Sequence, residues 1–270
     1  MKNFEVLPTD IVLCCIQKYE DEYIEEWLKW NFEKVGFDKI IIFDDDENHT
    51  IQNNKYIIDN IKNGKIKIFD CSNVNAPQMK VYNWFYYNFK PYWVAFLDCD
   101  EFIDLKSYKN IKNYIEFIEK KHNDCVSIIL PWLMYGDNEQ LHKTNGLVQD
   151  RFTKPFIEEG KINGKTIEKG GLSGVSIINP HFVCDDRFYG VHCSNDGEIK
   201  EKTENISDDA FCERNYDYPF IKHYWTKSTE EFKKKLDRGN PDGTGKRKID
   251  EYFDINKRTK EKEKILNENN

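Results

Sequence analysis

The 270 residues carry 40 Lys and Arg against 48 Asp and Glu, a formal charge of −8, together with 6 Trp, 15 Tyr and 18 Phe. That acidic balance argues against a nucleic-acid partner, and the mean hydropathy of −0.77 goes with the lack of any run near the ~20 apolar residues of a membrane span. The start, Met1-Lys2-Asn3-Phe4-Glu5, has no apolar signal segment, so a cytoplasmic protein with one large α/β domain is the expectation.

In chain order, residues 11–16 form a short apolar run read as a buried first strand. Residues 21–35 put Tyr23, Ile24, Trp27, Leu28, Phe32 and Val35 on one helical stripe, with Gly36 as the stop. A strand over 39–43 runs into the carboxylate cluster Asp44-Asp45-Asp46-Glu47. A helix over 54–62 closes at Asn63-Gly64, a strand spans 65–69, and a helix over 77–89 leads through Pro91 into a central strand. This alternation is the pattern of parallel βαβ units with right-handed crossovers, a doubly wound sheet. Neither G-x-G-x-x-G nor a P-loop motif is present.

The central strand is Trp93-Val94-Ala95-Phe96-Leu97-Asp98-Cys99-Asp100-Glu101-Phe102. Its apolar run ends in three carboxylates within four residues, and burying those without partners costs several kcal/mol. A cation is therefore expected. On an extended segment Asp98 and Asp100 point the same way and can share one hard ion, Mn²⁺ or Mg²⁺.

Beyond it lie a helix over 107–122, a strand over 125–130, and an aromatic-walled loop over 131–138 holding Trp132, Tyr135 and Asp137. Residues 147–193 read as short strands of an antiparallel extension, and 219–225 as a strand containing His223. Ser228 and Glu231 form a capping box for a helix through Leu236 that stops at Gly239. Residues 240–248 are a Gly-rich basic loop, followed by a polar helix or frayed tail. The domain expected is 1–245, with a nucleotide-binding half over 10–105, an acceptor half over 106–245, and the tail over 246–270. Residues 222–264 hold 14 basic against 9 acidic residues, net +5, leaving −13 elsewhere. Such a basic segment can hold diphosphates, rest on an anionic membrane face, or be a solvated helical face. The eight cysteines form no C-x-x-C pair and read as reduced, buried thiols. His181, Cys184, His192 and Cys193 match no zinc spacing, and the sequon Asn205-Ile206-Ser207 has no meaning without secretion.

Four segments resemble one family in the same order: Lys18 to Leu28, Ile42-Phe43-Asp44-Asp45, the D-x-D-E-F stretch, and His223-Tyr224-Trp225-Thr226-Lys227-Ser228 with its following helix. The family is the glycosyltransferase-2-like group of GT-A fold enzymes, near glycosyltransferase family 92, and the resemblance spans about residues 10 to 240. It implies a GT-A-like doubly wound, mostly parallel sheet with a small antiparallel extension and C-terminal helices. It also implies a metal-dependent, inverting transfer of a sugar from a nucleotide-diphosphate donor, a UDP-sugar, to a saccharide acceptor. By that resemblance Asp98, Asp100 and His223, with His192 as rival, hold the metal. Glu20, Asp44, Asp45, Gln78 and Lys80 contact the nucleotide, and Lys227 meets the diphosphate. Asp137 is the candidate base for the acceptor hydroxyl. Gly174-Val175 stands where the family carries a Lys, a departure on the acceptor side. Two other readings share the residues: a haloacid-dehalogenase-like phosphohydrolase with Asp98 as nucleophile, and a nucleotide-sugar-binding module without turnover.

Overall fold

The computed structural model describes residues 2–157, 160–172, 174, 176–177, 179–181, 190–200, 211–239 and 247–267. Cys184, Val175, the 205–207 sequon and the 240–246 part of the basic loop lie outside them.

The first half follows the expected alternation. Strands β1 (Ile11–Gln17), β2 (Lys39–Asp44), β3 (Ile66–Asp70) and β4 (Trp93–Phe96) pair in parallel in the order β3-β2-β1-β4. In-register pairing lines up Gln17, Asp44 and Asp70 at one edge. β1, β2 and β4 are apolar on both faces because each face has its own core, whereas the edge strand β3 exposes Lys67. Leu13, Cys15, Ile40, Ile42 and Ala95 meet α1 (Ile24–Trp30), α2 (Lys55–Lys62) and α4 (Ile111–Lys121). Val12, Cys14, Ile41, Val94 and Phe96 meet α3 (Pro77–Asn88). Helix α1 continues as a π-helical turn, Asn31–Val35, and stops at Gly36, whose φ of 86° favours glycine.

The central segment is not one strand. β4 ends at Phe96, the chain turns, and Glu101–Asp104 starts a separate strand, β5, at the far end of the sheet. The turn is closed by Glu101, whose amide donates to the Asp98 carbonyl (3.0 Å) while its carboxylate accepts the Asp98 amide (2.9 Å). Asp98 and Asp100 are therefore held by turn geometry, not by the two-residue repeat of a strand. The indoles of Trp27 and Trp30 fix β5 by donating to the Glu101 and Ile103 carbonyls, both at 2.8 Å.

β6 (Cys125–Tyr135) runs on into the expected 131–138 loop as far as Tyr135, leaving Gly136, Asp137 and Asn138 beyond its end. Pro131 fits because the strand changes partners there: β8 (Ile162–Lys169) pairs up to Pro131, and β11 (Phe220–His223) takes over from Trp132. The antiparallel extension is larger than expected. β8 inserts between β4 and β6; the two-residue strands β10 (Phe211–Cys212) and β7 (Pro155–Phe156) pair antiparallel with β8 and β6, while β9 (Val191–Cys193) pairs with β6 in parallel. A short helix, α5 (Val148–Arg151), receives the Glu26 carboxylate at its first amides, Val148 (2.7 Å) and Gln149 (3.2 Å).

Helix α6 (Thr229–Arg238) opens with the expected capping box. The tail is not frayed: α7 (Ile249–Ile255) and α8 (Lys260–Asn267) pack on α6 through Phe232, Tyr252 and Leu266. Among the described residues no helix is long and apolar enough to cross a membrane.

Candidate functional site

A cavity of about 320 Å³ opens at the carboxyl ends of β1, β2 and β4, where open α/β sheets receive ligands. The sequence signal that builds it is the abrupt end of each apolar run. β1 delivers Lys18 and Glu20, β2 delivers Asp45, α3 delivers Gln78, and the turn after β4 delivers Asp98 and Asp100. β11 then brings His223 beside them, with the Tyr224 amide donating to the Asp100 carbonyl at 2.9 Å.

The carboxylates are paired. Asp98, whose side chain is 36 % exposed, accepts from Lys165 (3.0 Å) and Gln78 (3.3 Å). Asp100 is bound by Lys235, and His223 Nε2 stands 3.5 Å away. Burial works to raise both acids, yet Lys165 brings Asp98 below the usual carboxylate range, and Lys235 with His223 holds Asp100 well below it. Burial lowers His223 and Lys235, the latter to about 8, and raises Glu101 well above its ordinary value. Glu20 sits between Arg238 (2.6 Å) and Lys227 (3.6 Å). Two non-glycine residues with left-handed backbones, Tyr19 (φ 55°) and Lys227 (φ 51°), turn the chain on either side of it.

The expected cation is thus present as ammonium. Lys165, on β8, and Lys235, on α6, were not singled out by the sequence; the one signal was a lysine at an inward position of an otherwise buried strand. Asp98, Asp100 and His223 share the cavity, but among the described residues no three His, Cys, Asp or Glu side chains converge as a metal site. A pair of unit charges at ~4 Å is worth about 4 kcal/mol at an effective dielectric of ~20, so a divalent ion would have to displace both lysines. As arranged, these residues do not fit the expected Mn²⁺ or Mg²⁺.

Other expected site residues fall elsewhere. Asp44 is fully buried behind the cavity, where its oxygens take Gln17, His49 (3.1 Å) and Gln52 (3.4 Å). Lys80 is exposed and bound to the Asn75 carbonyl. Lys227 lies over the Tyr23 ring at 3.7 Å and lines a second cavity of about 280 Å³, which shares Glu20, Trp225, Lys235 and Arg238 with the first. His192 lies on β9 and does not line the first cavity. Asp137 does not reach it either, because its carboxylate accepts from Tyr252 and the Glu139 amide (2.8 Å) and pairs with buried Lys262 at 2.5 Å. Of the aromatic loop, Trp132 lines the cavity and stacks near His223 (4.3 Å), whereas Tyr135 packs on Tyr224. Lys165 and His181 were not expected at the site, and Lys235, Arg238 and Arg247 were read only as part of the 222–264 basic segment that can hold diphosphates. Burial and Lys165 lower His181 to about 4, so its ring is neutral near pH 7.

No family model and no curated protein matches the chain. Solved structures of TarS from S. aureus align with it weakly. One aligns at 21 % identity over 51 % of this chain and 23 % of that one (TM-score 0.36). The 1–349 segment in complex with UDP aligns at 19 % identity over 50 % and 38 % (TM-score 0.36). That segment in complex with UDP-GlcNAc aligns at 14 % identity over 96 % and 70 % (TM-score 0.38). The chain matches 23 % and 38 % of the length of the first two, and at these scores the likeness does not identify a family.

Proposed function

We propose that the protein transfers a sugar from a nucleotide-diphosphate donor, a UDP-sugar, to a saccharide acceptor. The observation that carries this reading is the meeting of Glu20, Asp45, Gln78, Asp98 and Asp100 with cationic side chains on one cavity at the carboxyl edge of the parallel strands. Hydrogen-bond acceptors at the β1 and β2 ends suit a base and ribose, and the cations suit a diphosphate. Trp132, whose buried Nε1 has no hydrogen-bond partner, offers a stacking face and a donor to an acceptor sugar. When the acceptor hydroxyl attacks the anomeric carbon, its proton passes to water in the open cavity, the bond to the diphosphate breaks and its electron pair goes to the phosphate oxygen. Fixed positive charge there favours the transition state over the bound substrate. His181, which burial and Lys165 lower to about 4, stays neutral and adds no charge to the cavity.

The test is a panel of nucleotide sugars incubated with the full chain while nucleotide release is followed. Release from UDP-sugars above the buffer rate is expected, and accelerates when the right saccharide is added. A panel on which nothing is released, or release of inorganic phosphate instead of nucleotide, overturns the reading.

A further inference from the structure

We infer that Arg247 is the seat of the donor's diphosphate, an assignment that rests on the nucleotide-diphosphate reading above. Four carboxylates line the cavity, and each already has its own cation. Asp45 takes Lys18 (3.3 Å), Asp98 takes Lys165 (3.0 Å), Asp100 takes Lys235, and Glu20 takes Arg238 (2.6 Å). Arg247 is a fifth cation on the same wall; among the described residues no carboxylate pairs with it in contact, and Asp100 and Asp98 act on it only at longer range. Its Nε is buried without a hydrogen bond, and its guanidinium lies 5.8 Å from the Trp225 ring centre. A guanidinium that borders the cavity with its Nε buried and unbonded keeps a charged donor without an acceptor, and an anion from outside can complete it.

The chemistry of that anion follows from the cavity. A guanidinium presents a planar fork that pairs with two phosphate oxygens at once. The lining carboxylates would repel a ligand negative throughout, whereas a ligand with a localised diphosphate and neutral ends places its charge at Arg247 and its polar groups along Asp45 and Gln78. Arg247 lies within residues 222–264, so the same end of the chain that carries the positive excess supplies it.

Isothermal titration of the full-length chain with inorganic pyrophosphate, UDP and uridine, in wild type, Arg247→Lys and Arg247→Ala, tests the assignment. Loss of a charged hydrogen-bonding group predicts that Arg247→Ala weakens pyrophosphate and UDP about tenfold or more and leaves uridine unchanged, with Arg247→Lys between. Melting temperatures should stay within a few degrees, since no ion pair is removed. Pyrophosphate and UDP affinities within threefold of wild type in Arg247→Ala, or no binding of either by wild type, overturn the assignment. If pyrophosphate binding depends on Arg247 while UDP binds no tighter than pyrophosphate, the assignment stands and the nucleotide reading falls.

Discussion

Two clusters in this protein place a buried aspartate on a lysine, and they differ in everything else. At the turn after β4, Asp98 and Asp100 meet Lys165 and Lys235 on the wall of a 320 Å³ cavity with an unmatched arginine beside them. After the end of β6, Asp137 meets Lys262 and Tyr252 under the C-terminal helices and lines neither of the two cavities described above. A compensated carboxylate is therefore no mark of chemistry by itself. Space and surplus charge separate a site from a clasp.

The comparison breaks most directly by removing one acid from each cluster. Asp100→Asn leaves Lys235 without its counter-charge on the cavity wall and should lower sugar transfer at least ~10-fold by misplacing the cations that face the diphosphate, with a loss of stability smaller than at Asp137 because the freed charge borders the cavity. Transfer rates within threefold of wild type would show that the turn is only structural. Asp137→Asn should do the reverse. It leaves Lys262 buried without its counter-charge and should destabilise the fold by about 3–5 kcal/mol in urea titrations, while the folded fraction keeps its turnover. A large loss of turnover at unchanged stability would return Asp137 to the reaction.

A third buried acid sharpens the contrast through pH. Burial works against ionising Glu231, but hydrogen bonds from Arg151, Ser228 and Tyr23 bring it from 4.5 down to about 2. Because the folded value is the lower one, its contribution is complete above pH ~4.5 and disappears as pH falls toward 2, by about 3 kcal/mol in all. Glu231→Gln should remove that part of the acid dependence in melts between pH 5 and pH 2.5; an unaltered slope would contradict the pairing. The smallest effect concerns metal. With ammonium groups on both aspartates, nucleotide release in chelator and in Mn²⁺ should agree within about threefold, and a tenfold loss on chelation restored by Mn²⁺ would make the Asp pair a metal site after all.

The parallel half of the fold was legible because each strand there is an apolar run of fixed length, and because Gly36, Asn63-Gly64 and Pro77 punctuate it in ways backbone geometry enforces. The D-x-D stretch was legible as a cavity rim for the same reason: an apolar run that stops at carboxylates must present them at a strand end. β6 was not, since Pro131 reads as a breaker until its partner change is seen. The C-terminal helices were not either, because Tyr252, Leu266 and Lys262 become a buried face only once α6 is packed against them.

The sequence by itself determined where the negative charge would gather, since carboxylates at the ends of apolar runs have nowhere else to go. Only the tertiary structure decided what answers it. Lys165, Lys235 and Arg247 come from β8, α6 and the segment before α7, between 67 and 149 residues downstream of Asp98 by their numbering. A long, flexible cation carries no periodicity that announces its partner; its role is fixed only when folding brings it within a few ångströms of the charge it meets.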